Sequence, residues 1–197
     1  MRRELRDRRL ALSSKQQRLH SRSVARHFIT SRYFLRCRSI AIYLTNDGEL
    51  DPAPLALAAR HAGKKVYLPV LRPRPDKALW FCEYRTGDPL YPNRFGIPEP
   101  DIRRRKIHPP WALDIVLLPL VAFDIHGNRL GMGGGYYDRT FSFLLNRRHW
   151  VRPPLIGVAH ECQKVEQIHS RPWDIPLNAV ITENGFYNKV QKSKKIP

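Results

Sequence analysis

Four glycines fall within five positions in Arg129-Leu130-Gly131-Met132-Gly133-Gly134-Gly135-Tyr136-Tyr137-Asp138-Arg139, and the sequence on either side leaves few ways to fold them. Upstream, Asp114-Ile115-Val116-Leu117-Leu118-Pro119-Leu120-Val121-Ala122-Phe123 is almost unbroken in its hydrophobicity and predicts a strand buried on both faces. Downstream, Tyr137, Thr140, Phe141, Leu144 and Leu145 recur at helical spacing, so a helix is expected to begin near Tyr136. Glycines allow backbone amides to turn towards a ligand at close approach, and the first turn of a helix leaves its N–H groups free. Such a loop suits an anion, with phosphate the expected guest.

Neither of the two commonest phosphate signatures is spelled here. A P-loop needs a lysine after its last glycine, and none lies between Lys106 and Lys164; a dinucleotide fingerprint needs glycine where Tyr136 stands. A merely flexible connection would not call for two tyrosines and a carboxylate behind it. Asp138, beside a polyphosphate, stands where a magnesium ion belongs.

Charge narrows the partners without choosing one. Thirty-five Lys and Arg against 17 Asp and Glu give a net charge of +18, which suits nucleic acid, an acidic membrane or a polyanionic small molecule. Cys37, Cys82 and Cys162 are far apart, so neither a zinc cluster nor a disulfide framework is indicated, and a reduced cytoplasmic location is expected. No apolar run at the start is long enough for a signal peptide or a membrane span.

In chain order, Arg2, Arg3, Arg6, Arg8 and Arg9 crowd a first helical segment; one or two on one face, such as Arg2 and Arg6 at i and i+4, are candidates to reach phosphate oxygens. Ser13 or Ser14 is expected to cap a second helix, Lys15 to Phe28, with Leu19, Val24 and Phe28 inward. Ser39 to Leu44 predicts the first core strand, followed by a turn at Thr45 to Glu49, a helix to about His61, and a strand Val66 to Val70. That strand, helix, strand unit requires parallel pairing and sets Leu44 to Glu49 and the loop after Phe123 on one rim. Further strands are expected at Leu79 to Tyr84, Pro154 to Ala159 and Ala179 to Thr182, with irregular structure across the proline-rich 91–100 stretch. His160 and His169 read as ordinary surface or strand-end residues. Residues 1–188 are expected to form a single domain, and 189–197 a basic, disordered tail.

Taken together, Pro119 to Asp124 followed by Gly127-x-Arg129 to Arg139 resembles the signature of the 5-formyltetrahydrofolate cyclo-ligase family, also called 5,10-methenyltetrahydrofolate synthetases, of bacterial type. Gly48-Glu49-Leu50-Asp51, Gly63 to Val70, Gly96 to Pro100 and Trp173 to Leu177 extend the resemblance over most of the chain. It implies a Rossmann-like, three-layer α/β/α domain with a mostly parallel sheet. It implies ATP-dependent conversion of 5-formyltetrahydrofolate to 5,10-methenyltetrahydrofolate, in the cytoplasm, by a monomer. Arg129, Leu130, Gly131, Met132, Gly133, Gly134, Gly135, Tyr136 and Tyr137 would wrap the ATP phosphates, with Arg129 and Tyr136 positioning the reactants. Leu44, Glu49, Met132 and Tyr136 would line the folate site, and Asp138 and Asp174 would hold Mg2+. The family's first-helix arginine best matches Arg2, while its lysine would fall before Met1, leaving Arg3 or Arg6 to supply that charge. Asn178 stands where the family commonly has aspartate. The substrate is expected to be polyglutamylated. The competing expectation is a basic nucleic-acid-binding protein that keeps the fold.

Overall fold

A computed structural model describes residues 1–73, 77–103, 106–146 and 152–188. The chain opens with α1 (Arg2–Leu10), α2 (Ser14–Ile29) and α3 (Arg32–Arg36) before its first strand, β1 (Ser39–Ala41). Ser13 caps α2 by accepting from the Gln16 amide while Gln16 reaches back to the Ser13 amide, which satisfies two of the helix's free donors. The inward stripe of α2 is Ser21, Val24, Ala25 and Phe28, at i, i+3, i+4 and i+7. Leu19, expected inward, lies off that stripe and is 52% exposed.

Next come α4 (Ala53–His61), β2 (Lys65–Leu71), β3 (Leu79–Glu83), the short strands β4 (Leu90–Pro92) and β5 (Pro98–Pro100), β6 (Ile107–His108) and β7 (Ile115–Pro119). After β7 follow β8 (Ala122–Phe123), β9 (Arg129–Leu130), α5 (Tyr136–Phe141), α6 (Phe143–Asn146), β10 (Leu155–Val158), β11 (Ala179–Thr182) and β12 (Gly185–Asn188). Eight strands form one sheet in the order β12-β11-β10-β7-β1-β2-β3-β6. The five from β11 to β2 are parallel, and β12, β3 and β6 add antiparallel edges.

Alternation along the central strands divides the core between the two faces of the sheet. Ile40, Ile115 and Leu117 join Phe28, Leu55 and Ala59 on the face covered by α2 and α4. Ala41, Val116 and Leu118 join Phe81 and Phe141 on the face covered by α5. Helices on both faces of a mostly parallel sheet make a three-layer α/β/α arrangement. Among the described residues no helix is long and apolar enough to cross a membrane.

Two expectations need correction. The apolar run 114–123 is not one strand: β7 ends at Pro119, and β8 pairs instead with β9 in a separate two-stranded ribbon. The carbonyl of Leu120 is taken by side-chain donors of Arg9 and Gln163, so the ladder cannot continue there. The proline-rich 91–100 stretch does contain regular structure, since β4 and β5 pair antiparallel with Pro92 opposite Pro98. Proline is tolerated because each strand of an isolated pair has an edge on which no N–H is required. The turn closes where the Asn93 side chain accepts from the amides of Phe95 and Ile97.

Candidate active site

Read by sequence order, the five parallel strands run β2-β1-β7-β10-β11, so the connections leave β1 and β7 in opposite directions. The crevice outside the carboxyl ends of two such strands is where ligands bind in open α/β sheets. The turn after β1 brings Leu44, Asp47 and Glu49 to this crevice, and the β8–β9 ribbon brings the glycine loop.

The loop's conformation accounts for its composition. Gly133 and Gly135 have φ of +96° and +67°, a region that side chains rarely adopt. A Cβ on Gly134 would sit 2.8 Å from the Tyr136 ring, so this position is closed by contact. Among the described residues, no amide of 131–135 donates to a protein carbonyl, which leaves a run of donors for a ligand. Because α5 has only six residues, its dipole is small and the loop amides must carry most of the attraction.

Helix α1 clamps this loop to the turn after β1. Arg2, Leu5, Arg6 and Arg9 stand at i, i+3, i+4 and i+7 and form one stripe. The Arg2 Nε donates to the Gly131 carbonyl at 2.9 Å, placing its guanidinium about 3.9 Å from where a Gly133 Cβ would lie. Arg6 forms a bidentate pair with Asp47 at 2.6 and 3.0 Å. Arg9 is fully buried; it donates to the Asp47 carbonyl and carboxylate at 2.8 and 2.7 Å, and to the Leu120 carbonyl at 3.3 Å. Of the α1 arginines Arg2, Arg3 and Arg6, only Arg2 meets the glycine loop among the described residues, since Arg6 is held by Asp47 and Arg3 is exposed.

Glu49 sits inside this frame. Burial pushes its carboxyl up to about 7, against the pull of a hydrogen bond from the Asn46 amide and of Arg9. Tyr137, partly buried on α5, is driven upward by burial and then by the Glu49 charge, which brings α5 and the turn after β1 within electrostatic reach. Tyr43 donates to the Leu50 carbonyl at 2.5 Å and fixes the far end of that turn, with Leu44 half-buried beside it.

On the opposite side of the loop Arg129 organises the carboxylates. It donates to Asp138 Oδ1 at 2.5 Å and to the Ile175 carbonyl, while the Ile175 amide donates to the same Asp138 oxygen at 3.1 Å. Asp174, the residue before Ile175, accepts from the Arg171 amide through one oxygen. Each carboxylate thus keeps a second oxygen with no hydrogen bond among the described residues. A carboxylate on α5 and one on the segment bonded to it, beside the glycine loop, fit Mg2+, which takes one or two carboxylates and fills its shell with phosphate and water. Asn178 accepts from the Leu155 amide at 2.8 Å and pins β10 to the start of β11.

The β4–β5 hairpin roofs one edge of the site. Arg94 donates to the Tyr136 hydroxyl at 2.5 Å, and the Phe95 ring meets Tyr136 edge-on with centroids 6.0 Å apart. Met132 is 51% exposed on the loop itself. Sequence reasoning missed Arg9, Asp47, Arg94 and Phe95. For Arg9 a signal existed, because Leu5 marks the inward stripe that Arg9 shares; for the other three no local pattern reports the contact. His160, read as a surface or strand-end residue, does lie just past the end of β10 but is fully buried.

A mostly parallel sheet covered by helices on both faces, with a glycine-rich loop and carboxylates at its switch point, defines an α/β enzyme fold of the Rossmann-like class. The profile of the 5-formyltetrahydrofolate cyclo-ligase family matches residues 1–183, and this chain belongs to that family. It is 44% identical to the 5-formyltetrahydrofolate cyclo-ligase of Escherichia coli K12, over 93% of this chain and 98% of the relative. It is 39% identical to that of Haemophilus influenzae, over 90% and 92%. The NMR structure of Aquifex aeolicus 5,10-methenyltetrahydrofolate synthetase superposes with a TM-score of 0.80 at 27% identity, covering 100% of this chain and 94% of that one.

Proposed function

We propose that this cyclo-ligase binds ATP in the glycine cradle and 5-formyltetrahydrofolate against Glu49, and joins them across the crevice between β1 and β7. The terminal phosphoryl group passes to the formyl oxygen on N-5, ADP departs, and the formyl carbon becomes electrophilic. N-10 adds to that carbon, loses its proton, and the phosphate leaves with the C–O bond, giving the methenyl ring. Such a sequence needs positioning and charge neutralisation rather than a protein nucleophile. The amides of 131–135 and the Arg2 guanidinium receive the phosphates, and Arg129 fixes Asp138 for its role. Bound at Asp138 and Asp174, Mg2+ would supply charge neutralisation between phosphate oxygens. Glu49 as a carboxylate accepts from the pterin amino and ring N–H groups, with Leu44, Met132 and Tyr136 bordering the folate.

The observation that carries this reading is the clamp. Arg2 and Arg6 are four residues apart on one helix, so the loop that one touches and the turn that the other holds lie roughly 6 Å apart along its axis. Nucleotide and folate then sit as neighbours. Purified protein given 5-formyltetrahydrofolate and Mg-ATP should develop the near-ultraviolet absorbance of the methenyl product. Replacing Asp138 with Asn should raise the magnesium requirement several-fold; an unchanged requirement would remove Asp138 from the metal's shell.

A further inference from the structure

His20 on α2, His160 after β10 and Glu183 after β11 meet on the α2 face of the sheet, away from the glycine cradle. Their candidate ligand atoms all lie within 4.8 Å of one another. The two Nδ1 atoms are 2.9 Å apart, and His20 Nδ1 is 3.2 Å from Glu183 Oε1. The His20 and Glu183 side chains are 20% and 15% exposed, and His160 is fully buried.

Hydrogen bonding alone satisfies this arrangement poorly. A proton on His20 Nδ1 cannot point at both the His160 nitrogen and the carboxylate, and the third lone pair stays unmatched. A neutral imidazole carries one ring proton, and the group facing one nitrogen decides which nitrogen is left bare. The Gly48 carbonyl draws a proton on that ring, although no acceptor completes a hydrogen bond to His160 Nε2 in good geometry. With the proton at Nε2, His160 Nδ1 is a bare donor, which is how a metal-binding histidine with its other N–H turned to a carbonyl is arranged. Glu183 is oriented in the same sense: the Glu161 amide holds Oε2 at 3.0 Å and leaves Oε1 facing the histidines.

We propose that His20, His160 and Glu183 form a zinc-type metal site distinct from the magnesium carboxylates. Two imidazole nitrogens and one carboxylate oxygen suit Zn2+, with water in the fourth place, whereas Mg2+ and Ca2+ favour oxygen throughout. Ligand bonds of about 2.0–2.2 Å separate tetrahedral donors by roughly 3.3 Å, so the two separations at His20 need open by only a few tenths of an ångström, and the third pair already lies within 4.8 Å. The ion ties α2 to the carboxyl ends of β10 and β11, bringing together segments far apart in sequence.

The full chain, stripped of metal by a chelator and dialysed, is titrated with Zn2+ against a chromophoric chelator, and with Co2+ followed by visible absorption. Wild type should take up one tight equivalent and gain in Tm. His20→Leu and Glu183→Gln should each lose more affinity than the roughly 10–100-fold that an outer-shell change costs. Neither should gain in Tm with zinc, and Asp174→Asn should bind as wild type does. Far-ultraviolet spectra and metal-free Tm values identify any variant that fails to fold, and the other then decides. Absence of zinc uptake by wild type at micromolar concentration overturns the proposal. So does uptake that both substitutions leave unchanged, or that Asp174→Asn alone removes.

Discussion

Glu49 and Arg9 show how single side chains shape this site. A carboxyl raised from 4.5 to about 7 stays protonated in the folded chain over a range where the unfolded chain has already ionised. Stability should therefore fall as pH rises from about 4.5 to about 7 and level off above, a loss on the order of 3 kcal/mol. Glu49→Gln should flatten that part of the pH profile in urea denaturation of the ligand-free protein. It should also abolish the gain in folate affinity expected as the carboxylate forms through pH 7, measured as KM at pH 6 and pH 8. Arg9→Ala takes away a fully buried cation and leaves the Asp47 carbonyl without its donor, so a cost of about 3–5 kcal/mol is expected in the same assay. The position of Glu49 was legible from the strand–helix–strand unit that sets its turn on the rim. Its raised pKa was not, because desolvation depends on what covers the turn, and Arg9 comes from a helix 40 residues earlier.

Among the elements, the glycine loop and the helix behind it were legible because backbone freedom and helical periodicity are both written locally. The end of β7 was not, since Leu120 and Val121 look like strand residues and only the distant side chains of Arg9 and Gln163 divert them. Antiparallel β12 escaped for a related reason: Gly185–Asn188 is partly exposed, so its hydrophobic pattern is weak. Two substitutions test the tightness of these elements. Gly134→Ala must displace the Tyr136 ring that Arg94 and Phe95 hold, and should raise the KM for ATP several-fold with little change in Tm. Gly157→Ala in β10 puts a methyl 2.6 Å from Leu120 and 2.8 Å from Leu177, in a core with no slack, and should cost about 1–3 kcal/mol by thermal or urea unfolding.

For the molecule as a whole, the parallel pairing could be anticipated from sequence, while the strand order, which creates the crevice, emerges only from the fold. The net charge of +18 acts on this scale too. Arg18, Arg22 and Arg26 line an exposed face of α2 and project a field rather than forming a pocket. Polyglutamate tails on the substrate should bind tighter as they lengthen, and that gain should shrink between roughly 0.1 M and 1 M salt, as the Debye length falls from about 10 Å to about 3 Å. A titration of mono- and polyglutamyl substrates at both ionic strengths measures it. The arginine stripe of α1 also has a meaning in time. Its partners lie 38 to 41 residues away at Asp47, 111 away at Leu120 and 129 away at Gly131, so its contacts are completed only once the glycine loop has been synthesised. The bridge from Arg2 to Gly131 is thus the last of these contacts to become possible, and a nascent chain holds its first helix against Asp47 before it can hold the loop.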